Sequence, residues 1–113
     1  MPFKVVHYSD VQADPVPDLE GVTIRWVIAK DDAAPNFAMR HFTISPGGHT
    51  PHHTHAWEHE VYILSGSGKA IGPDGEVALQ PGTVIFVAPN DEHHFENDTD
   101  KPLSFLCLVP LPE

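Results

Sequence analysis

Residues 47–66 read GGHTPHHTHAWEHEVYILSG, and five of the chain's nine histidines fall inside them. In an extended chain, side chains alternate between two faces. His53 and His55 therefore share a face, and His52 takes the other. From 59 onward His59, Val61, Ile63 and Ser65 alternate against Glu58, Glu60, Tyr62 and Leu64. The imidazole of His59 thus travels with the apolar, inward set, and the two glutamates travel with the outer one. Ordinary packing has no use for imidazoles gathered on an inward face. A transition-metal ion does.

The same alternation continues on both sides. In 22–30, Val22, Ile24, Trp26 and Ile28 alternate against Thr23 and Arg25, and segments 37–45, 59–65, 67–71, 76–79, 83–88, 93–97 and 103–109 also read as strands. Val, Ile, Phe and Thr dominate them, residues that fit a pleated surface. Pro46-Gly47-Gly48, Gly66-Ser67-Gly68, Pro73-Asp74-Gly75 and Pro81-Gly82 supply turns between them. No window of eleven or more residues carries a capped helical period. Short strands at this spacing predict an all-β sandwich or barrel. Residues 9–21, SDVQADPVPDLEG, read as an extended arm or loop. At 113 residues the expectation is one domain, 1–113.

Composition narrows the function classes. The formal charge is −10, and the six Lys and Arg are scattered, which argues against a nucleic-acid partner or an anionic membrane surface. No apolar run approaches a bilayer span, and MPFKVVHYSD lacks the apolar stretch of a signal peptide. A single cysteine, Cys107, excludes an intramolecular disulfide, so a cytoplasmic setting is expected. P-loop, GxGxxG, GxSxG and Cys–His protease patterns are absent.

Spacing adds a resemblance. Gly47, His53, His55, His59 and Gly66, followed by Gly82, His93 and Asn97, resemble the two motifs of the cupin family, at about 47–66 and 82–97. APNFAMR at 34–40, WEHE at 57–60, NDTD at 97–100 and FLCL at 105–108 are similar to its small single-domain members with a four-histidine manganese site. The resemblance implies a jelly-roll β-barrel holding one divalent metal on His53, His55, His59 and His93. Manganese is the first expectation, with Fe, Ni, Zn or Cu as alternatives. His59 stands where the family usually has a ligand glutamate, and strand parity keeps Glu58 and Glu60 on the other face. A three-histidine site completed by Glu60 or Glu58 is the alternative. The resemblance also places Arg40, Phe95, Phe105 and Cys107 along the substrate pocket, while the catalytic group stays open between a metal-bound water or oxygen and the candidate pocket residues Arg40 and Cys107.

The expected function is a metal-dependent oxygenase of dioxygenase type acting on a small organic substrate. The alternatives are a non-redox isomerase, lyase or decarboxylase and a non-catalytic module for a small ligand or metal. Leu103, Phe105, Cys107 and Val109 oppose Leu106 and Leu108 on the last strand, apolar on both faces. Together with the open edges of a small jelly roll, this predicts a homodimer.

Overall fold

A computed structural model describes residues 3–17, 19–51 and 54–111. Among them are nine strands: β1 (Asp14–Pro15), β2 (Val22–Ile28), β3 (Phe37–Ile44), β4 (His59–Ser65), β5 (Gly68–Gly72), β6 (Gly75–Leu79), β7 (Val84–Val87), β8 (His94–Glu96) and β9 (Leu103–Pro110). Two short 3-10 turns, Tyr8–Asp10 and Lys30–Asp32, are the only helical pieces among the described residues. One sheet has six strands in the order β1-β2-β3-β9-β4-β7, and the other has three, β6-β5-β8. All pairings are antiparallel. The fold is an all-β jelly roll.

One core joins the two sheets. Val22, Ile44, Val61, Ile63, Leu103, Phe105 and Cys107 come from the larger sheet, and Phe95 and Leu79 from the smaller. These residues follow the sequence alternation, so β4 buries His59, Val61 and Ile63 and exposes Glu60, Tyr62 and Leu64. Ser65 departs from the expectation. A register shift between Ile63 and Ser65 against β9 turns it out to solvent. Asn97 is buried at the end of β8 with its amide fully used. Nδ2 donates to the carbonyls of Ile44 (2.9 Å) and Lys101 (2.7 Å), and Oδ1 accepts from the Thr99 amide and hydroxyl. That satisfied amide ties the 97–101 turn to β3. Gly66, between β4 and β5, has φ +82, and a Cβ there would lie 2.2 Å from the Pro102 carbonyl oxygen.

Segment 9–21 is less free than its composition suggests. Asp14 and Pro15 pair with Ile24 and Thr23, while Val16 and Leu19 pack on the core. Further upstream, the chain is strapped to the outside of the large sheet. Lys4 Nζ donates to the Val27 carbonyl (2.7 Å) and pairs with Asp32 (2.8 Å). Arg25 Nη1 donates to the carbonyls of Val11, Ser9 and Tyr8. Tyr8 stacks on His41 with ring centroids 4.4 Å apart, and Arg25 lies over its ring. This strap accounts for part of the apolar outer face of β9, since Lys4, Val5, Val6 and Tyr8 share a cleft with Met39 and Leu106.

Burial beneath Tyr8 pushes the pKa of His41 down, and the nearby charge of Arg25 adds to the effect. The neutral ring is therefore favoured in the fold. The unfolded chain takes up the proton first, near the ordinary value of about 6.5. Stability that is complete above that pH is then lost as the medium is acidified toward the lower folded pKa. Chemical denaturation of chelator-treated protein at about pH 7.5 and pH 5 is expected to show this loss. His41→Phe, which keeps a ring under Tyr8, should lose less over the same interval. An equal loss in both proteins would remove His41 from the account.

Candidate metal centre

Three of the expected ligands converge. His55 sits in the loop before β4, His59 opens β4, and His93 immediately precedes β8. Their ring centroids are 4.8 Å (His55–His59), 5.2 Å (His59–His93) and 5.9 Å (His55–His93) apart. One donor nitrogen from each lies within 4.8 Å of the others, and no other such group of His, Cys, Asp and Glu occurs among the described residues. Adjacent imidazole nitrogens on an ion with bonds of about 2.1 Å would be about 3 Å apart, so a bound ion would draw the three rings closer together. The residues fit a transition-metal ion. His52 and the fourth expected ligand, His53, lie outside the described residues.

Tautomers can be read from the neighbours. His93 Nδ1 is 2.9 Å from the Asp91 carbonyl, which can only accept, so Nδ1 carries a hydrogen and in the neutral ring the lone pair is on Nε2. His55 stacks against Trp57 at 4.7 Å, which fixes the plane of its ring. The loop backbone is held by the Asn90 amide donating to the His55 carbonyl at 2.6 Å. His59 is 6% exposed, and its Nδ1 faces Arg40 Nη2 (3.3 Å) and Cys107 Sγ (3.2 Å). Arg40 Nη2 also donates to Cys107 Sγ at 3.0 Å. Cross-strand pairing builds this triangle, since Cys107 on β9 is the partner of Arg40 on β3 and of Val61 on β4. Burial pushes the Cys107 thiol up, and the Arg40 guanidinium offsets part of that rise.

The cluster opens into a cavity of about 370 Å³ whose walls include Trp26, Phe42, Phe95 and Phe105. Arg40, Phe95, Phe105 and Cys107, the four pocket residues expected from the sequence, all line it. Phe95 and Phe105 are core residues as well, in edge-to-face contact at 5.2 Å. The guanidinium of Arg40 lies over the rings of Trp26 (5.6 Å) and Phe42 (5.0 Å). A smaller cavity of about 240 Å³ reaches the cluster from another side, sharing Trp26, Arg40, His55 and His59 and adding Trp57.

Glu58 and Glu60 face elsewhere, into a separate cleft with Phe37 and Leu108. His94 is engaged by Glu96 at 2.8 Å and is not part of the cluster. Sequence reasoning missed the cavity wall formed by Asp14, Pro15, Val16 and Pro17. It also missed Trp26 as a lining residue, although Trp26 shares the inward parity of Val22 and Ile24.

The cupin domain family matches residues 40–109, a span that holds His55, His59, His93 and the β3–β9 pairing. The chain belongs to the cupin family. Over 98% of its length this cupin superposes on the polyketide cyclase RemF of Streptomyces resistomycificus, with a TM-score of 0.92, 36% identity and 81% of that chain covered. It is 34% identical over 71 residues (63% of its length) to a 1-methylthio-D-xylulose 5-phosphate methylsulfurylase of Rhodospirillum rubrum. Over 70 residues (61% of its length) it is 31% identical to gentisate 1,2 dioxygenase 1 of Aquipseudomonas alcaligenes. It spans only 46% and 20% of the length of those two relatives. No helix among the described residues is long and apolar enough to cross a membrane.

Proposed function

We propose that this cupin is a cytoplasmic metalloenzyme that acts on a flat, oxygen-bearing organic molecule. The proposed ligands are His53, His55, His59 and His93, with manganese the first candidate metal. One observation carries the proposal: the imidazole cluster forms part of the wall of a cavity otherwise lined largely by aromatic and aliphatic side chains. The ion would supply Lewis acidity to a substrate carbonyl. Phe42, Phe95 and Phe105 give the cavity an apolar, aromatic wall suited to a planar substrate. Arg40 lines the same cavity, so its guanidinium is placed to hold an anionic oxygen of a substrate.

The whole-chain likeness to a polyketide cyclase favours the non-redox branch, carbon–carbon ring closure of a polyketone by aldol addition with loss of water. The oxygenase expected from the sequence is the second reading, favoured by the likeness to the gentisate dioxygenase. Protein loaded separately with Zn, Mn or Fe would be offered linear β-polyketones and dihydroxybenzoic acids, with oxygen uptake and product mass followed. Ring closure without oxygen uptake, supported by redox-inert Zn, is the expected result. Uptake of dioxygen into product with Mn or Fe alone would select the oxygenase. Tight metal binding with neither reaction would favour the non-catalytic module.

A second copy of the chain is the proposed partner. β7 is an outer strand of the large sheet, with Val84 and Phe86 70% and 61% exposed beside Tyr62 on β4. Light scattering at micromolar concentration should give a dimer mass, and a monomer mass would end that proposal.

A further inference from the structure

We infer that Cys107 is a positioning residue that selects the metal-binding tautomer of His59, in competition with Arg40. The inference rests on the proposed role of His59 as a ligand and concerns how that role is enforced. Nδ1 of His59 faces Arg40 Nη2 at 3.3 Å and Cys107 Sγ at 3.2 Å, so Nε2 lies on the far side of the ring and is the nitrogen that would meet an ion. A neutral imidazole carries one hydrogen, and ligation by Nε2 requires it on Nδ1. That N–H needs an acceptor. A guanidinium has none to offer, whereas a thiol sulfur accepts. Of these two described neighbours, Cys107 is the one that can receive it.

The opposite tautomer is within reach. With Nδ1 bare, Arg40 Nη2–H donates to it, the hydrogen moves to Nε2, and the lone pair that would meet the metal is gone. Arg40 therefore supports only the bare-Nδ1 state, whereas the thiol, which can accept as well as donate, is the neighbour that can also support Nδ1–H. Arg40 Nη2 also donates to Sγ at 3.0 Å, which holds the sulfur between the guanidinium and the imidazole. Cys107 is 3% exposed, and water has little access as a substitute acceptor. The arrangement depends on β9 lying between β3 and β4, which brings residues 40, 59 and 107 to one place.

Nitrogen-15 NMR of metal-free protein at about pH 8.5, above the ordinary imidazole range, reads the tautomer directly. The wild type should show His59 protonated on Nδ1. Cys107→Ala should shift it toward Nε2–H, Cys107→Ser should restore it, and Arg40→Met should leave it on Nδ1. Zn dissociation constants from chelator competition should follow, roughly 10–100-fold weaker in Cys107→Ala, near wild type in Cys107→Ser, and equal or tighter in Arg40→Met. A wild type already protonated on Nε2 would overturn the inference, as would an unchanged tautomer in folded Cys107→Ala. Weaker Zn binding in Arg40→Met would count against the competition even if the cysteine variants failed to fold. Failure of the wild type to bind Zn, Mn or Fe would instead defeat the metal proposal, and the NMR result would still stand by itself.

Discussion

His59→Ala is expected to weaken metal binding about a hundredfold. Four-ligand zinc sites bind with roughly 10–16 kcal/mol in total, about 3 kcal/mol per ligand, and 1.4 kcal/mol is a factor of ten. His59 is the most buried of the three clustered imidazoles, so water is poorly placed to replace it. His55→Ala and His93→Ala should behave alike. His94→Ala should bind as the wild type does, because Glu96 holds that ring outside the cluster. Chelator competition gives the constants. Melting curves give a second reading, since a ligand that binds only the folded chain raises its stability. The gap between metal-loaded and chelated wild type should close in His59→Ala. Acid should act like the chelator, because imidazoles must be neutral to ligate and ordinarily titrate near 6.5. Release is expected below about pH 6. Full occupancy at about pH 4.5, or wild-type affinity in His59→Ala, would turn attention back to Glu58 and Glu60.

Gly66→Ala is expected to cost about 3 kcal/mol or more, a large share of the roughly 5–15 kcal/mol that holds a domain folded. Two terms combine. The left-handed backbone, φ +82, costs an alanine about 1–2 kcal/mol. The new methyl would also meet the Pro102 carbonyl oxygen at 2.2 Å and Leu103 Cα at 2.9 Å, both backbone atoms that cannot swing aside. Relief requires moving the start of β9, which is fully buried at Leu103. Gly82→Ala provides the control. It has φ +91 with no described atom within 4 Å of the added carbon, so only the conformational cost remains. Urea denaturation should rank Gly66→Ala well below Gly82→Ala and the wild type. Equal midpoints for the two variants would show that the β4–β5 turn shifts freely.

Much of this was legible in one dimension. Alternation placed His59 on the inner face of β4 and the glutamates outside it, and the structure agrees residue by residue up to Ile63. The proline–glycine punctuation located the strand boundaries to within about two residues. What failed has physical causes. Residues 14–17 carry two prolines in a four-residue stretch, so no alternation marks them as the cavity wall they form. A bulge cannot be seen in the periodicity of one strand, so alternation alone turns Ser65 inward where the register shift turns it out. The contact of Arg40 with Cys107 and His59 depends on which strands pair and in what register. Local pattern carries no such information. The resemblance placed Arg40 and Cys107 in the pocket, but only the pairing shows that they meet on His59.

The central position of β9 bears on biosynthesis. β3 and β4 leave the ribosome before it, and each needs it as a hydrogen-bonded neighbour. At roughly 5–20 residues per second, the interval between the end of β4 and the end of β9 lasts a few seconds. Through that interval both strands present unpaired edges, and Phe105 and Leu103 are not yet available to fill the core. A nascent chain at this stage is a template for strand addition and a natural client for a holdase chaperone. It also has histidines but no Cys107, so the contact inferred to direct the His59 tautomer does not yet exist. On the proposed reading of the site, correct metallation would be a late, post-translational event, and slow emergence of the last strand would favour loss of the chain to aggregation.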